Sequence, residues 1–242
     1  MADGSGARAE QVGRVLRLVA ADDRGWSAVV WSDLDESTAD AAIDEQVSYF
    51  AELGRTFEWK HYAYDRPADL PRRLRAAGFE PEAEETLMLA EIADLGTDEA
   101  VPAGVRLVQV SDAPGIDLLV RVHEQVFGMD HPWLRQALLA QLAAAPGQVA
   151  AIVALAGDEP VCAGRVEFHE GTDFASLWGG GTLPRWRGRG IFRALVAHRA
   201  ELAAKRGFRY LLVDASAQSR PILERLGFIA LTTTTPYVRH PR

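Results

Sequence analysis

The amino-acid sequence predicts a mixed α/β fold of the α+β kind: a central sheet with helices on both faces, plus a smaller, degenerate N-terminal half built on part of the same plan. Three observations carry this expectation. Strand-like runs alternate with helical stretches along the chain. A glycine-rich segment leaves a strand and opens a helix at residues 179–193. The first hundred or so residues repeat, in shortened form, the order of elements found at the C-terminal end. A chain of 242 residues, 48% hydrophobic and with six tryptophans, is long enough to bury one large α/β core or two modest ones.

The second half is read element by element. Residues 105–110 form a strand, and Asp112 then caps a periodic helix over 114–127. A second helix over 132–144 is stopped by Pro146 and Gly147. Three strands at 148–156, 160–169 and 173–183, separated by Gly-containing turns, make a meander. A helix follows at 191–206, with Leu195, Val196, Arg199 and Leu202 at helical spacing. After Gly207 come a strand at 208–214, a short helix at 219–226, and a last extended run to Tyr237.

In the first half, residues 28–31 read as a strand and 37–53 as a helix closed by Gly54. Residues 57–65 then line up with 208–214, and Leu74-Arg75-Ala76-Ala77-Gly78-Phe79 with Leu223-Glu224-Arg225-Leu226-Gly227-Phe228. These matches define a diverged partial repeat. Residues 94–104, rich in Gly, Pro and acidic groups, are the linker, giving domains at 1–95 and 104–242.

Bulk properties narrow the function classes. A net charge of -8 argues against partners such as nucleic acid or anionic membrane, and favours a neutral or cationic substrate. Cys162 is the single cysteine, so no intramolecular disulfide or cysteine metal cluster can form, and no metal cofactor is expected. The first eight residues are small and polar, and no apolar run reaches the ~18 residues of a membrane helix. A cytoplasmic protein with a frayed N-terminus is the expectation.

The sharpest local signal is Gly179-Gly180-Gly181-Thr182-Leu183-Pro184-Arg185-Trp186-Arg187-Gly188-Arg189-Gly190-Ile191-Phe192-Arg193. Glycines let the backbone approach a bulky anion, and the unpaired N–H groups of a helix N-terminus point at its oxygens. Arg187, Arg189 and Arg193 add positive charge, which suits a pyrophosphate. The loop lacks the Gly-Lys-Ser/Thr ending of an ATP-binding P-loop.

With strand, proline, Arg-Gly-x-Gly and helix in this order, the region from about 105 to 237 resembles the GNAT superfamily of N-acetyltransferases. The family signature of Arg or Gln, two residues, Gly, one residue, then Gly or Ala falls on Arg187, Gly190 and Phe192. The resemblance implies acetyl-CoA as co-substrate. It places the pyrophosphate on the amides of Gly188, Arg189, Gly190, Ile191, Phe192 and Arg193. It also pairs pantetheine with the backbone of Gly180, Gly181 and Thr182, in a gap between two splayed parallel strands. Phe192 departs from the small residue usual there; its ring can turn into the core while its N–H faces the ligand.

A second family element matches 216–228, with Ser216 where relatives read Asn and Leu223 where many read the Tyr that protonates the thiolate. Leucine cannot donate a proton, so another group or solvent must serve, and Tyr237 is the candidate substitute acid. Ser219 is placed either to cap the helix or to contact the thioester. Glu167 is the candidate base for the amine, with Glu170 and Asp214 behind it; His123 and His131 read as solvated or capping side chains.

In the first half the equivalent turn is Ser32-Asp33-Leu34-Asp35-Glu36-Ser37, whose acids repel phosphate. That half is expected to pack and to wall the substrate cleft, leaving one CoA site per chain. The function implied is transfer of an acetyl group to an amine of a small molecule or peptide by direct attack on the thioester, in a monomer or homodimer. The alternative is a non-catalytic acyl-CoA-binding regulator.

Overall fold

The computed structural model describes residues 7–21, 25–95, 100–128 and 132–241. In chain order the elements are β1 (Arg8–Val12), β2 (Val15–Val19), β3 (Ala28–Ser32), α1 (Ala39–Glu52), β4 (Phe57–Tyr62), α2 (Leu70–Ala76), β5 (Glu80–Pro81), β6 (Glu85–Glu91), β7 (Val105–Val110), α3 (Ala113–Phe127), α4 (Pro132–Ala144), β8 (Val149–Ala156), β9 (Glu159–Phe168), β10 (Phe174–Thr182), α5 (Ile191–Lys205), β11 (Tyr210–Ala215), α6 (Arg220–Leu226) and β12 (Ile229–Arg239). The chain is thus mixed α/β, as its alternating pattern predicts.

Two compact units emerge: Met1–Leu87 together with Thr232–Arg242, and Met88–Leu231. This division differs from a single cut near residue 100. Thr234–Arg239 of β12 pair antiparallel with β4, and Tyr237 and Val238 also pair with β5, which draws the C-terminus into the first unit. Conversely, Met88, Ala90, Ile92 and Leu95 bury their side chains in the core of the second unit. Core membership, and not the composition of the linker, decides where each segment belongs.

In the first unit β1, β2 and β3 form an antiparallel meander, and β3 runs parallel to β4. Helix α1 turns Ala39, Ile43, Gln46 and Phe50 to one face at helical spacing. Phe50 stacks on Phe57 with ring centroids 4.2 Å apart, and Phe79 meets Phe57 edge-on at 5.1 Å. The hairpin of β1 and β2 was not legible as strands in the sequence reading. Most of the expected loose N-terminus, residues 1–6, lies outside the described residues, and Arg8 already starts β1.

In the second unit β7, β8, β9 and β10 are consecutively antiparallel, and β10 pairs in parallel with β11. The expected meander is therefore present. Strand β8, Val-Ala-Ala-Ile-Val-Ala-Leu-Ala, is buried on both faces, which explains its unbroken apolar run. Alternation along the strands divides the core: Ala151, Val153 and Ala163 pack under α3, while Ile152, Cys162, Val166 and Phe168 pack under α5. Asp112 caps α3, its carboxylate accepting from the Gly115 N–H at 3.0 Å.

The two units share an order of elements. Each unit contains a strand, a helix, a parallel strand and a second helix: β3, α1, β4, α2 and β10, α5, β11, α6. The helix ends match atom for atom. Phe79 N–H donates to the Leu74 carbonyl at 3.1 Å and Phe228 N–H to the Leu223 carbonyl at 3.0 Å. Between them Gly78 and Gly227 hold φ of 88° and 106°, a left-handed turn that glycine takes without steric cost.

Candidate active site

The site is organised around an irregularity in β10. Its antiparallel register with β9 runs from Ala175 opposite Phe168 to Trp178 opposite Arg165, breaks, and resumes with Gly181 opposite Ala163. Gly179 sits in the break with φ of 57°, which a side chain rarely adopts. A Cβ on Gly181 would lie 2.6 Å from Val126 of α3, so only glycine lets the helix sit this close. On its other edge β10 pairs with β11 only from Phe174 to Ser176, opposite Tyr210 to Leu212. Beyond Ser176 the two parallel strands share no register among the described residues, so Leu177–Thr182 present an edge that an extended ligand can pair with.

From the end of β10 the chain passes through a short 3-10 turn, Pro184–Trp186, into the glycine loop. Gly188 and Gly190 hold φ of 75° and 81°. Gly190 is the N-cap of α5; it offers no side chain to the helix start, and the first turn holds no acidic residue. The N–H groups of Ile191, Phe192 and Arg193 thus open a helix N-terminus with no capping side chain. Arg187 folds back, its Nε donating to the Thr182 carbonyl at 3.2 Å, and Arg189 lies over the Trp186 ring at 4.5 Å. Arg185 is ion-paired with Glu159 and does not join them. Phe192 turns its ring inward: Cε2 lies 3.1 Å from where a Cβ on Gly180 would stand.

The face of the sheet under α3 carries polar groups at alternating positions of β9 and β10. Glu167, the expected base, accepts from Arg165 Nε at 2.8 Å, and both side chains are largely buried. Trp178 Nε1 donates to Ser176 Oγ at 2.6 Å, and His169 Nε2 shares that hydroxyl at 2.8 Å. Across the bulge, His123 Nδ1 lies 3.3 Å and Arg165 Nη1 3.5 Å from the Cβ position of Gly179. The His123 ring also packs on Phe127, with centroids 4.5 Å apart. Of these, sequence reasoning singled out Glu167 and weighed His123; Arg165, His169, Ser176 and Trp178 carried only the period-2 signal of a strand.

The remaining expected residues are placed as follows. Ser216 and Ser219 lie together at the start of α6, hydroxyls 3.2 Å apart, with Ser219 N–H donating to Ser216 Oγ at 3.3 Å. Leu223 is buried in the core of the second unit. Tyr237 is 3% exposed in the core of the first unit, edge-on to His61 and beneath the Arg75 guanidinium. His131 lies outside the described residues. Cys162 is sealed: burial pushes its thiol up to about 11, and Thr182 Oγ1 donates to its sulfur at 3.1 Å. No three potential metal-ligating side chains converge among the described residues.

The turn preceding α1 in the first unit is filled from within. The Asp35 carboxylate accepts from the N–H groups of Ser37 and Thr38 at 2.9 and 3.0 Å and from both their hydroxyls. These bonds hold its pKa down at about 2. An anion already occupies this turn, where the corresponding α5 start in the second unit is open.

The second unit thus combines a strand with a broken register, a parallel pair in register only over Phe174–Ser176, and a glycine loop opening a helix. Residues 116–228 match the model of the acetyltransferase (GNAT) family. Among curated proteins none matches the chain. Solved structures with this fold include a GCN5-related N-acetyltransferase from Kribbella flavida, 18% identical, covering 98% of this chain and 90% of its own, with a TM-score of 0.73. A tandem GNAT protein from the clavulanic acid biosynthesis pathway is 12% identical, with coverage of 93% and 78% and a TM-score of 0.64. A GCN5-related N-acetyltransferase from Sphaerobacter thermophilus is 14% identical, with coverage of 94% and 76% and a TM-score of 0.63. The likeness in fold thus spans both units.

Proposed function

We propose that the chain is an N-acetyltransferase that moves an acetyl group from acetyl-CoA to an amine. The observation that carries this reading is the pairing of two features on one strand: β10 parts from β11 beyond Ser176 and runs into the open helix start at Gly190. The first feature suits an extended pantetheine chain and the second its pyrophosphate, with Arg187, Arg189 and Arg193 supplying charge. The first unit, with Asp35 filling its turn, would bind no CoA; one site per chain follows. The tandem architecture named for the clavulanic acid pathway protein supports reading the two units as diverged copies.

In this reading the amine nitrogen attacks the thioester carbon directly. The carbonyl oxygen takes up negative charge at backbone N–H groups of the β10 bulge, and the CoA sulfur then leaves as thiolate. Glu167, held by Arg165, is the group proposed to receive the ammonium proton. With Tyr237 in the core of the first unit, the thiolate takes its proton from solvent. The acceptor is a small-molecule or peptide amine, and the protein acts in the cytoplasm as a monomer or homodimer. Among the described residues no helix is long and apolar enough to cross a membrane.

The test is release of free thiol from acetyl-CoA, followed with a thiol reagent, across spermidine, glucosamine, tryptamine and a short peptide with a free N-terminus. Amine-dependent thiol release is expected with at least one. If CoA raises the melting temperature but no amine yields thiol above the blank, the non-catalytic regulator replaces the enzyme.

A further inference from the structure

Arg199 lies in the middle of α5, is 1% exposed, and is flanked on its helix by the buried Leu195, Val196, Ala200 and Ala203. Its Nε donates to the Leu195 carbonyl of its own helix at 3.2 Å, and Nη1 donates to the Arg165 carbonyl of β9 at 3.1 Å. It forms no salt bridge with a carboxylate among the described residues; the titratable neighbours that act on it are Arg165 and Cys162, and the Cys162 thiol, pushed up to about 11, is neutral at neutral pH. Burial pulls its pKa down to about 10, which leaves it cationic at neutral pH.

The sheet is built around this group. A Cβ on Gly164 would lie 2.9 Å from Nη1, and a Cβ on Gly180 would lie 3.2 Å from Nη2. The same Gly164 Cβ would stand 3.2 Å from the Gly180 Cα, so the two glycines face each other across β9 and β10 and leave a gap that the guanidinium fills. Gly180 lies inside the register break of β10. An isolated buried charge is costly, and an apolar side chain of similar volume is often neutral or better for stability. Fold stability alone therefore does not account for an arginine here.

We infer that Arg199 is a positioning residue for acyl transfer: wedged behind Gly180, it holds the β10 bulge in shape and sets a positive charge behind the strand edge where the thioester oxygen becomes anionic. The inference rests on the acetyl-CoA reading above. When the amine nitrogen forms its bond to the thioester carbon, the carbonyl electron pair moves to oxygen. When that pair returns, the C–S bond breaks and its electrons leave on the CoA sulfur; the amine proton passes to a base or to water. A fixed, buried cation stabilises the intermediate oxyanion more than the neutral thioester. It therefore acts on kcat more than on CoA affinity.

The full-length chain is compared with Arg199→Met, Arg199→Gln and Arg199→Lys. Thiol release is measured with the amine that wild type turns over, CoA dissociation constants by calorimetry, and melting temperature by scanning calorimetry. The expected result is a fall in kcat of about 10- to 100-fold for the uncharged variants, with CoA affinity little changed and Lys recovering much of the rate. If Arg199→Met does not fold, the Lys and Gln variants decide. Equal kcat for Lys and Gln, or loss of rate only in step with CoA affinity and melting temperature, overturns the inference. Wild type that turns over no amine defeats the acetyl-CoA reading; wild type that does, with variants matching it, defeats only the role of Arg199.

Discussion

Gly190 concentrates two features at one residue: a left-handed backbone with φ of 81°, and the absence of a capping side chain at the start of α5. The first unit shows what a carboxylate does at such a turn, where Asp35 takes up the amide donors ahead of α1. Gly190→Asp should therefore cost about 1 kcal/mol in backbone strain while abolishing protection of the protein by CoA. Thermal shift with and without CoA reads both effects. Asp65 offers a pH test of the first unit. Burial raises its pKa from 3.8 to about 6, against the hydrogen bond it accepts from Tyr62 N–H. Because the folded state holds this proton more tightly, the stability contribution is full below about pH 4 and is lost as pH rises through about 6. Asp65→Asn should flatten the urea-unfolding stability between those limits and be the more stable protein at pH 7 relative to wild type. A slope that persists in Asp65→Asn would assign it to another group.

Arg199 shows what residue-level reading can and cannot extract. It falls in register with Leu195, Val196 and Leu202, so the sequence placed it on the buried face of α5. What lies opposite it, the gap between Gly164 and Gly180, depends on strand register, and register across β9 and β10 is broken by a bulge that no local pattern announces. Tyr237 shows the reverse: a phenol near the end of a predicted strand suggested proton transfer, while the pairing of that strand with β4, a contact far apart in sequence, put the ring in the first unit's core.

At the scale of elements, β10 and α3 are fitted to each other through Gly181. With a Cβ at that position only 2.6 Å from Val126 Cγ1, Gly181→Ala should destabilise the protein by about 1–3 kcal/mol. Adding Val126→Ala should return part of that loss, and a double-mutant cycle by denaturant unfolding measures the coupling. Strict additivity would mean the two side chains do not meet. The second-half elements were legible because each carries its own punctuation: Asp112 before α3, Pro146 and Gly147 after α4, Gly207 and Gly227 closing α5 and α6. The hairpin of β1 and β2 and strand β6 were not. In β6 buried residues alternate at Thr86, Met88 and Ala90, but the run is short, rich in glutamate and adjacent to the linker, so its composition obscured its period.

For the whole molecule, the two units keep one order of strands and helices and differ in what stands at the helix start. In the proposed function, Gly190 with Arg187, Arg189 and Arg193 would attract phosphate, and Asp33, Asp35 and Glu36 would repel it. Because much of the attraction comes from exposed arginines, CoA affinity should fall as ionic strength rises, by calorimetry at low and high salt. An affinity independent of salt would point to amides alone. The measurement that bears most directly on this account is a calorimetric titration of the full chain with CoA, repeated for Gly190→Asp and Asp35→Asn. One equivalent bound by wild type, retained by Asp35→Asn and lost in Gly190→Asp, is the expected result. Two equivalents, or binding that survives Gly190→Asp unchanged, would contradict it.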